Sequence, residues 1–394
     1  MPAQLKTPQQ KRIYLLLIVV VVGNISDFLF RPLTGAGYPI FAFMTSPVGR
    51  FDDFYNNLYA NNGLAYPTVQ GFIFTPMSIW VYKLFSLIPN LLGLWIFFVI
   101  GLIGIAAVFK CFSFSWLLIF TLLVSYPVLF TLARGNNELW LFPAVGVTVL
   151  MVKKGRPRSS AVLFALTNLF EPYPLLILMW KNPLKLFRTT VGITVAVTLP
   201  IFIFFEPYDV WQYVKAYLGP VSGYTSGYNG LGVLHNHSLP AGLSVAKYLV
   251  TGRFVGAADD TWGLIFSIWL LAGVLIIGAI LLIAQLNLVD RLVGIASASC
   301  LLPSMSFDYR LIYLLLPLGL LVMKDRLDLR EKLQLILIVV LIIPKNYVWF
   351  RYDMDPVGST LGSIVNPILL LVLLSTVFSV IYFQFRKVRI LSLD

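Results

Sequence analysis

Two adjacent carboxylates, Asp52 and Asp53, stand in a polar stretch, SPVGRFDDFYNNLYANNGLAYP, of an otherwise apolar chain. A carboxylate held near apolar walls has a raised proton affinity and can serve as a general base. The pair therefore indicates general-base chemistry, with a solvated pair of loop carboxylates as the alternative interpretation.

A second polar segment, TLARGNNELW, places Arg134, Asn136 and Asn137 at the edge of an apolar run. A guanidinium binds phosphate through two parallel hydrogen bonds, so the segment is suited to phosphate or hydroxyl recognition. An arginine that only reaches the membrane surface is the alternative. Further along, Glu171 in LTNLFEPYP lies inside an apolar segment, where ionisable residues are costly and usually functional. A glutamate that faces water at a helix break is the other reading of this residue.

The chain has two histidines, His235 and His237, in the glycine-rich segment YNGLGVLHNHSLPAGL. An H-x-H pair can bind a metal, but no third ligand lies close in sequence. Hydrogen bonding to an anionic or sugar ligand is the favoured interpretation. In SMSFDYRLIY, Asp308 and Arg310 lie at a helix boundary, where they either pair with each other or leave Arg310 facing a phosphate.

The elements that must position these residues are membrane helices. Hydrophobic residues make up 59% of the 394 residues and charged residues only 12%. Apolar runs of about 20 residues match the ~30 Å hydrocarbon core of a bilayer at ~1.5 Å per residue. The sequence predicts an all-α polytopic membrane protein with apolar runs at Ile13–Gly23, Leu91–Phe109, Trp116–Leu132, Val191–Phe205, Trp262–Ala284, Leu333–Ile343 and Ile368–Phe383.

The distribution of basic residues predicts the orientation of these helices. Most of the 29 lysines and arginines fall in segments that the positive-inside rule assigns to the cytoplasm, and both termini are among them. These segments are 1–12, 153–158, 181–188, 324–332 and the tail after residue 385. The same rule accounts for the net charge of +12 without a nucleic-acid partner. The candidate site residues then lie on the extracytoplasmic face.

Two apolar segments, 66–89 and 160–180, break the alternation of sides. Both contain prolines, which interrupt helices, and broken helices at membrane depth line protein or watery cavities. We expect about 10 to 12 transmembrane helices: ten full spans and two proline-broken segments, or twelve full spans with the middle third of the chain inverted. The prolines are Pro67, Pro76, Pro89, Pro172 and Pro174.

The loops between the helices carry the polar residues. The sequence predicts one integral membrane domain over 1–394, with a first extracytoplasmic loop at 31–70 and a large one at 206–261. In the first loop, Phe51, Phe54, Tyr55 and Leu58 recur at helical spacing, which predicts a short amphipathic helix on the membrane surface. The chain contains neither a P-loop nor a glycine-rich dinucleotide fingerprint.

These motifs, in this order, resemble the multispan glycosyltransferases of the GT-C class, in particular glycosyltransferase family 87, which uses polyprenol-phosphate mannose. The family pattern has an Asp-Phe-Tyr segment, here RFDDFYNNLY, and a Tyr-Pro-Pro, here Tyr66 in YPTVQ. A Gly-Gln-x-Asn segment reads RGNNELW here, followed by KKGR. The chain departs from the family at Asn136 for Gln, at Glu171 where a Lys-Pro is expected, and at His237 for Gln in NHSL. The segment SMSFDYRLIYLLLP matches the family's last motif.

The resemblance implies inverting transfer of a hexose, mannose in the family, from a polyprenyl-phosphate donor to a hydroxyl of a glycolipid or polysaccharide. It implies Asp53 as the base, with Asp52 second. The donor phosphate would be bound by Arg134, His235, His237 and Arg310. Sugar or acceptor contacts would come from Asn56, Asn57, Tyr66, Asn136, Asn137, Glu171, Asn236 and Asp308.

The resemblance implies no cofactor beyond the lipid-linked donor, and we expect no metal because the external carboxylates do not cluster into an obvious ligand set. The expected partners are membrane lipids, the polyprenyl-phosphate sugar and a glycolipid or glycan acceptor in the inner or plasma membrane. Two alternatives share these features: a transporter or flippase of lipid-linked saccharides, since broken helices beside a cavity also suit transporters, and a polymerase or ligase that uses the same kind of donor.

Overall fold

A computed structural model of the chain describes residues 7–34, 51, 53–55, 58, 81–82, 84–170, 189–193, 195–196, 236–251, 268, 273, 287–303, 306–345, 349–352 and 355–391. The described residues are mostly helical, which confirms the all-α prediction. The helices are α1 (Thr7–Thr34), α2 (Asn90–Cys111), α3 (Trp116–Leu123), α4 (Tyr126–Arg134), α5 (Glu138–Lys153), α6 (Pro157–Phe170), α7 (Leu239–Thr251), α8 (Leu288–Leu301), a 3₁₀ helix (Asp308–Leu314), α9 (Leu315–Met323), α10 (Leu329–Leu341) and α11 (Leu361–Leu391). An antiparallel hairpin, β1 (Trp349–Tyr352) and β2 (Asp355–Thr360), precedes α11.

The chain forms two compact units, each assembled from separate stretches of sequence. The terminal unit comprises Met1–Phe41, Ser113–Val128 and Leu231–Asp394, and the central unit comprises Ala42–Phe112 and Leu129–Gly230. Helix α4 contains the boundary between Val128 and Leu129. The prediction of one integral membrane domain over 1–394 stays a prediction.

Three helices in the described part of the chain are long and apolar enough to cross a membrane. They cover Thr7–Leu29, Asn90–Cys111 and Leu361–Val380. A fourth candidate is the pair α3 and α4, whose axes bend by 52° at a short break. The chain is therefore a membrane protein with several spans. The total of 10 to 12 spans remains a prediction for the whole chain.

The break between α3 and α4 corrects the prediction of one uninterrupted span over Trp116–Leu132. Pro127, in the first turn of α4, cannot donate a backbone hydrogen bond, so it favours the start of a new helix at this point. The Ser125 hydroxyl donates to Leu122 O at 2.6 Å. Asn24 of α1 donates to Val124 O at 2.8 Å. A polar side chain of a neighbouring helix thus satisfies a carbonyl that the break would leave without a partner.

In the central unit, small residues let α2 and α5 approach closely. A β-carbon at Gly101 would lie 2.4 Å from Leu139 Cγ, and one at Gly146 would lie 2.4 Å from Val108 Cγ1. Both glycines therefore exclude any larger residue from this contact. Close backbone packing at small residues is the usual basis of helix association in membranes.

In the terminal unit, the N-terminal end of α1 contacts the C-terminal end of α9. Gln9 Nε2 donates to Met323 O at 2.6 Å, and Arg12 Nε donates to Val322 O at 3.1 Å. These bonds satisfy carbonyls that a helix end leaves without intrahelical partners. Gln9 and Arg12, from the basic segment 1–12, thus lie beside the start of the basic segment 324–332, which the sequence assigns to the same side.

A buried polar network joins α8, α10 and α11 in the same unit. Asp290 accepts hydrogen bonds from Arg330 and from Gln334, the latter at 3.0 Å, and Gln334 also donates to Thr376 at 3.0 Å. Asn366 lies ten residues before Thr376 on α11, about 15 Å away at 1.5 Å per residue. Helix α11 therefore runs from this network to the cluster described next.

Candidate functional site

The central unit holds Asp53 between two donors, and we call Asp53, Arg134 and Asn136 the Asp53 cluster. The Arg134 guanidinium donates to Asp53 Oδ1 in an ion pair, and Asn136 Nδ2 donates to Oδ2 at 2.7 Å. The Asp53 side chain is 16% exposed and that of Arg134 is 22% exposed. The carboxylate is thus held in one orientation while part of it stays accessible.

The end of α4 explains why the sequence RGNN forms this cluster. Gly135 has φ of +62°, and its N–H donates to Leu132 O, while Asn136 N–H donates to Thr131 O, both at 3.0 Å. This pattern is a Schellman motif, which ends a helix at a left-handed glycine. It turns the chain so that Asn136 follows Arg134 toward the same carboxylate.

Asn136 also fixes the start of α5. Its Oδ1 accepts from the Glu138 N–H at 3.0 Å, so its Nδ2 is left to donate to Asp53. The buried Glu138 lies in the first turn of α5, where a helix favours negative charge. Asn137 Oδ1 accepts from the Tyr82 hydroxyl. Asn136 therefore orients Asp53, and Asn137 holds the Tyr82 hydroxyl.

Aromatic packing positions the segment that carries Asp53. Phe54 is fully buried, and its ring centroid lies 5.9 Å from that of Tyr82, 5.8 Å from Phe85 and 5.3 Å from Phe97. Leu58 is also buried. Residues 53–55 are helical, and Phe54 and Leu58 pack inside the protein. The prediction that this helix lies on the membrane surface stays a prediction.

Backbone strain accompanies this packing. Phe51 has φ of +57°, in the left-handed region that a bulky residue rarely adopts, and its N–H donates to Ala133 O at 3.0 Å. A β-carbon at Gly135 would lie 2.8 Å from Phe54 Cβ. Strained backbone is kept where the surroundings dictate it, and such positions cluster at functional sites.

The terminal unit contains a second group, the Asp308 cluster, made of Asp308, His237, Ser306, Tyr126 and Asn366. Asp308 Oδ2 accepts from the Tyr126 hydroxyl at 2.8 Å, and Oδ1 accepts from Asn366 Nδ2 at 3.4 Å. His237 Nδ1 lies 3.2 Å from Asp308 Oδ1, and its Nε2 lies 2.9 Å from Ser306 Oγ. His237 and Ser306 are fully buried, and Asp308 is 2% exposed.

The backbone brings His237 and Ser306 together. An isolated bridge pairs Asn236 with Phe307, and the His237 N–H donates to Ser306 O at 2.7 Å. Asn236 Oδ1 accepts from the N–H groups of Ser306 and Ser238, at 3.0 and 3.1 Å. Asn236, for which the resemblance implies a sugar contact, thus joins these two chain segments.

Burial and nearby charges determine the protonation of His237, which lies outside the candidate membrane spans. Burial lowers the pKa of His237, the contact with Asp308 opposes that change, and the charges of Arg310 and Lys345 add to it. A neutral imidazole facing a carboxylate through Nδ1 carries its proton there. The unprotonated Nε2 then accepts the hydrogen bond from the Ser306 hydroxyl, so both ring nitrogens of His237 are used.

Several residues that the sequence singled out lie outside the described residues: Asp52, Asn56, Asn57, Tyr66, Glu171 and His235. The structure adds residues that sequence reasoning left out of the site. Tyr126 and Asn366 donate to Asp308, Ser306 contacts His237, and the charges of Lys345 and Asp308 act on each other. Asn366 could have been found from the sequence, because it is a polar residue in an otherwise apolar stretch directly before Pro367.

Within the described ranges, no group of three or more histidine, cysteine, aspartate or glutamate side chains could hold a metal ion. The expectation that the reaction needs no metal stays a prediction. The chemistry that the two clusters offer is proton transfer at an oriented carboxylate and hydrogen bonding by buried polar groups.

The model of glycosyltransferase family 87 matches residues 72–305. The matched range contains Arg134, Asn136 and His237 and leaves Asp53 and Asp308 on either side of it. A search of curated proteins finds no match.

Proposed function

The chain belongs to glycosyltransferase family 87, and on that premise we propose that it transfers a hexose, mannose in the first instance, from a polyprenyl-phosphate donor. The acceptor is a hydroxyl of a glycolipid or polysaccharide on the extracytoplasmic face of the inner or plasma membrane. Membership in the family makes the chain a glycosyltransferase and a membrane protein. It favours the transferase over a flippase of lipid-linked saccharides.

The observation that carries the proposal is the orientation of Asp53 by Arg134 and Asn136. Each carboxylate oxygen has two lone pairs. Arg134 donates to one oxygen of Asp53 and Asn136 to the other, so both oxygens of the carboxylate are oriented. An ionised carboxylate that is fixed in place and partly accessible meets the geometric needs of a general base.

In the proposed reaction, Asp53 takes the proton from the acceptor hydroxyl as its oxygen attacks the anomeric carbon of the donor sugar. The bond between that carbon and the phosphate oxygen breaks, and polyprenyl phosphate leaves with the electron pair. Charge then grows on the phosphate, and cationic or hydrogen-bonding groups aimed at it lower the barrier. Arg134, His235 and Arg310 are the proposed groups, whereas both ring nitrogens of the buried His237 are already occupied by Asp308 and Ser306.

Replacing Asp53 by Asn tests the assignment. The amide keeps the size of the side chain but accepts no proton, so we expect transfer to fall by about 10²–10⁴-fold. The measurement is transfer of radiolabelled mannose from polyprenyl-phosphate mannose in membranes that contain the full chain. The thermal midpoint of the purified variant checks that it is folded.

The matched variant Asp52→Asn distinguishes the two carboxylates, because it makes the same change one residue away. We expect the larger loss from Asp53→Asn. Full transfer by Asp53→Asn would contradict the role of Asp53. An absence of transfer by the wild-type chain from polyprenyl-phosphate mannose, with transfer from another lipid-linked sugar, would contradict the choice of mannose alone.

A further inference from the structure

Tyr82 links the two chain segments that meet at Asp53. Its hydroxyl donates to Asn137 Oδ1, and Asn137 directly follows the Asn136 whose amide orients Asp53. Its ring centroid lies 5.9 Å from that of Phe54, which directly follows Asp53. Tyr82 therefore contacts the chain neighbour of the carboxylate through its ring and the chain neighbour of the orienting amide through its hydroxyl.

The helical turn that carries Tyr82 packs along the start of α5. Tyr82 and Phe85 are both helical and buried, and at a spacing of three residues they lie on one face. Tyr82 bonds to Asn137, the N-cap residue of α5, and the Phe85 ring lies 5.8 Å from that of Trp140 in its first turn. Asn137 and Trp140 are also three residues apart. Two contacts at equal spacing fix both the position of the turn and its rotation against α5.

Buried rings make this arrangement rigid. Trp140 stacks on Phe97 with centroids 5.5 Å apart, and its Nε1 donates to Phe97 O at 2.8 Å. The Phe97 ring in turn lies 5.3 Å from that of Phe54. Phe54 and Tyr82 are fully buried, and Phe97 is 1% exposed. Because protein interiors are close-packed and transmit strain, a displacement of the Tyr82 ring also displaces Phe54.

The hydroxyl is the part of Tyr82 that sets the distance to the Asp53 cluster. Ring packing alone is non-directional, whereas a hydrogen bond fixes both a distance and an angle. Asn137 and Asn136 are joined by one planar peptide unit, directly after the left-handed Gly135. The bond to Asn137 therefore restrains the position from which Asn136 donates to Asp53.

We propose that Tyr82 is a positioning residue for the transfer reaction and that Asn137 is its anchor instead of a direct sugar contact. The proposal rests on the proposed function, because Tyr82 acts through the base Asp53. Proton transfer needs the carboxylate within hydrogen-bond reach of the acceptor hydroxyl. A misplacement of about 1 Å lowers the rate by about 10²-fold, so a base released from its restraint slows the chemical step and leaves substrate binding unchanged.

The test is the kinetics of Tyr82→Phe, which keeps the ring and removes the hydroxyl. Transfer of radiolabelled mannose is measured in membranes that contain the full chain, over a range of polyprenyl-phosphate mannose concentrations and per amount of folded chain. We expect kcat to fall by about 10–100-fold. The KM for the donor should stay within about twofold of the wild-type value, which is the signature of an interaction that acts in the transition state.

Asn137→Ala tests the other end of the hydrogen bond. Asn137 makes no side-chain cap on α5, so this change removes the acceptor for Tyr82 without loss of a cap. We expect the same fall in kcat, and a double variant that is within about twofold of the slower single variant, because both changes remove one bond. A raised KM for the donor in Asn137→Ala, with additive losses in the double variant, would instead indicate a direct sugar contact and overturn the anchor role.

Two control variants separate positioning from stability. Thr148→Val removes another buried hydroxyl from the same unit, one that donates to Ala144 O at 2.9 Å within α5. Tyr14→Phe makes the same chemical change at a tyrosine of α1 that is 57% exposed. Both should keep wild-type kcat and KM, and the thermal midpoint of each variant is measured alongside. A fall in kcat for Thr148→Val as large as that for Tyr82→Phe would show a general effect of stability and overturn the proposal.

Asp53→Asn distinguishes a failure of this proposal from a failure of the proposed function. In that background we expect Tyr82→Phe to change the residual rate by no more than about twofold, because the group that it positions is gone. Loss of transfer in Asp53→Asn together with wild-type kcat in Tyr82→Phe would overturn the positioning role alone. Full transfer by Asp53→Asn would overturn the proposed role of Asp53, and the role of Tyr82 with it.

Discussion

Single residues explain how the Asp53 cluster is oriented. Arg134 and Asn136 act on one carboxylate because Gly135, between them, adopts a left-handed conformation that reverses the chain. The cluster therefore depends on a backbone position as much as on its charged groups.

A second glycine, Gly155, allows a matched test of this dependence. It ends α5 in the same Schellman pattern with φ of +68°, but a β-carbon there would meet nothing within 4 Å. We expect Gly155→Ala to cost roughly 1–2 kcal/mol, from the left-handed conformation alone. Gly135→Ala should cost more and reduce transfer, because the new carbon would press on Phe54.

The measurement is the thermal midpoint of each purified variant together with transfer in membranes. Equal loss of stability in the two variants, with transfer retained in both, would show that the contact between Gly135 and Phe54 does not position Asp53.

Lys345 provides a prediction on pH. Burial lowers its pKa from 10.5 to about 8, and the charge of Asp308 only partly opposes this change. Between these values the unfolded chain binds a proton that the folded chain has lost, so stability rises with pH from about 8 to 10.5. The effect is on the order of 3 kcal/mol and is absent in Lys345→Met.

The measurement is the thermal midpoint of the wild type and of Lys345→Met between pH 7 and 10.5. Other groups titrate in this range, so the difference between the two curves isolates Lys345. Parallel curves would exclude a buried, charge-bearing Lys345.

At the scale of residues, the sequence singled out the members of the Asp53 cluster but not their contacts with each other. It assigned Arg134 to the donor phosphate and Asn136 to a sugar or acceptor, and the structure brings both onto Asp53. Tyr126 and Asn366 reach Asp308 across 182 and 58 residues, and sequence spacing carries no information on such contacts.

At the scale of secondary structure, contacts between helices explain the break between α3 and α4. Apolar composition predicted a continuous span over Trp116–Leu132, because hydropathy reports what the lipid faces and gives little information on backbone direction. The bend at Val124 is set by Pro127 and by a side chain from α1, Asn24. The proline was visible in the sequence, but its partner on another helix was not.

This bend gives a prediction for Asn24→Leu. The change removes the donor to Val124 O and leaves a carbonyl without that bond at membrane depth, which we expect to cost about 1–3 kcal/mol. The exposed neighbour Ile25 supplies the control, since Ile25→Val should change stability by less than about 0.5 kcal/mol. Thermal unfolding in detergent measures both, and equal midpoints would contradict the role given to Asn24.

The whole molecule raises the question of orientation. Lys110, in the last turn of α2, is a further basic residue that the positive-inside rule assigns to the cytoplasm, whereas an inverted middle third of the chain places it outside. The two cysteines of the chain offer a test, because Cys111 is exposed and Cys300 is buried.

We expect a membrane-impermeant maleimide to label Cys111 in inside-out vesicles and not in intact cells. The variant Cys111→Ser should abolish labelling in the vesicles, which assigns the signal. Labelling of intact cells would instead support the inverted arrangement and would move the Arg134 segment to the other side.

The wide spacing of the partners of Asp308 also has a consequence for biosynthesis. Asn366 follows Asp308 by 58 residues, so at about 5–20 residues per second it leaves the ribosome some seconds later. During that interval the Asp308 carboxylate is already made, while the helix that supplies its amide partner is not. The nascent chain therefore carries an incomplete Asp308 cluster until α11 has been synthesised.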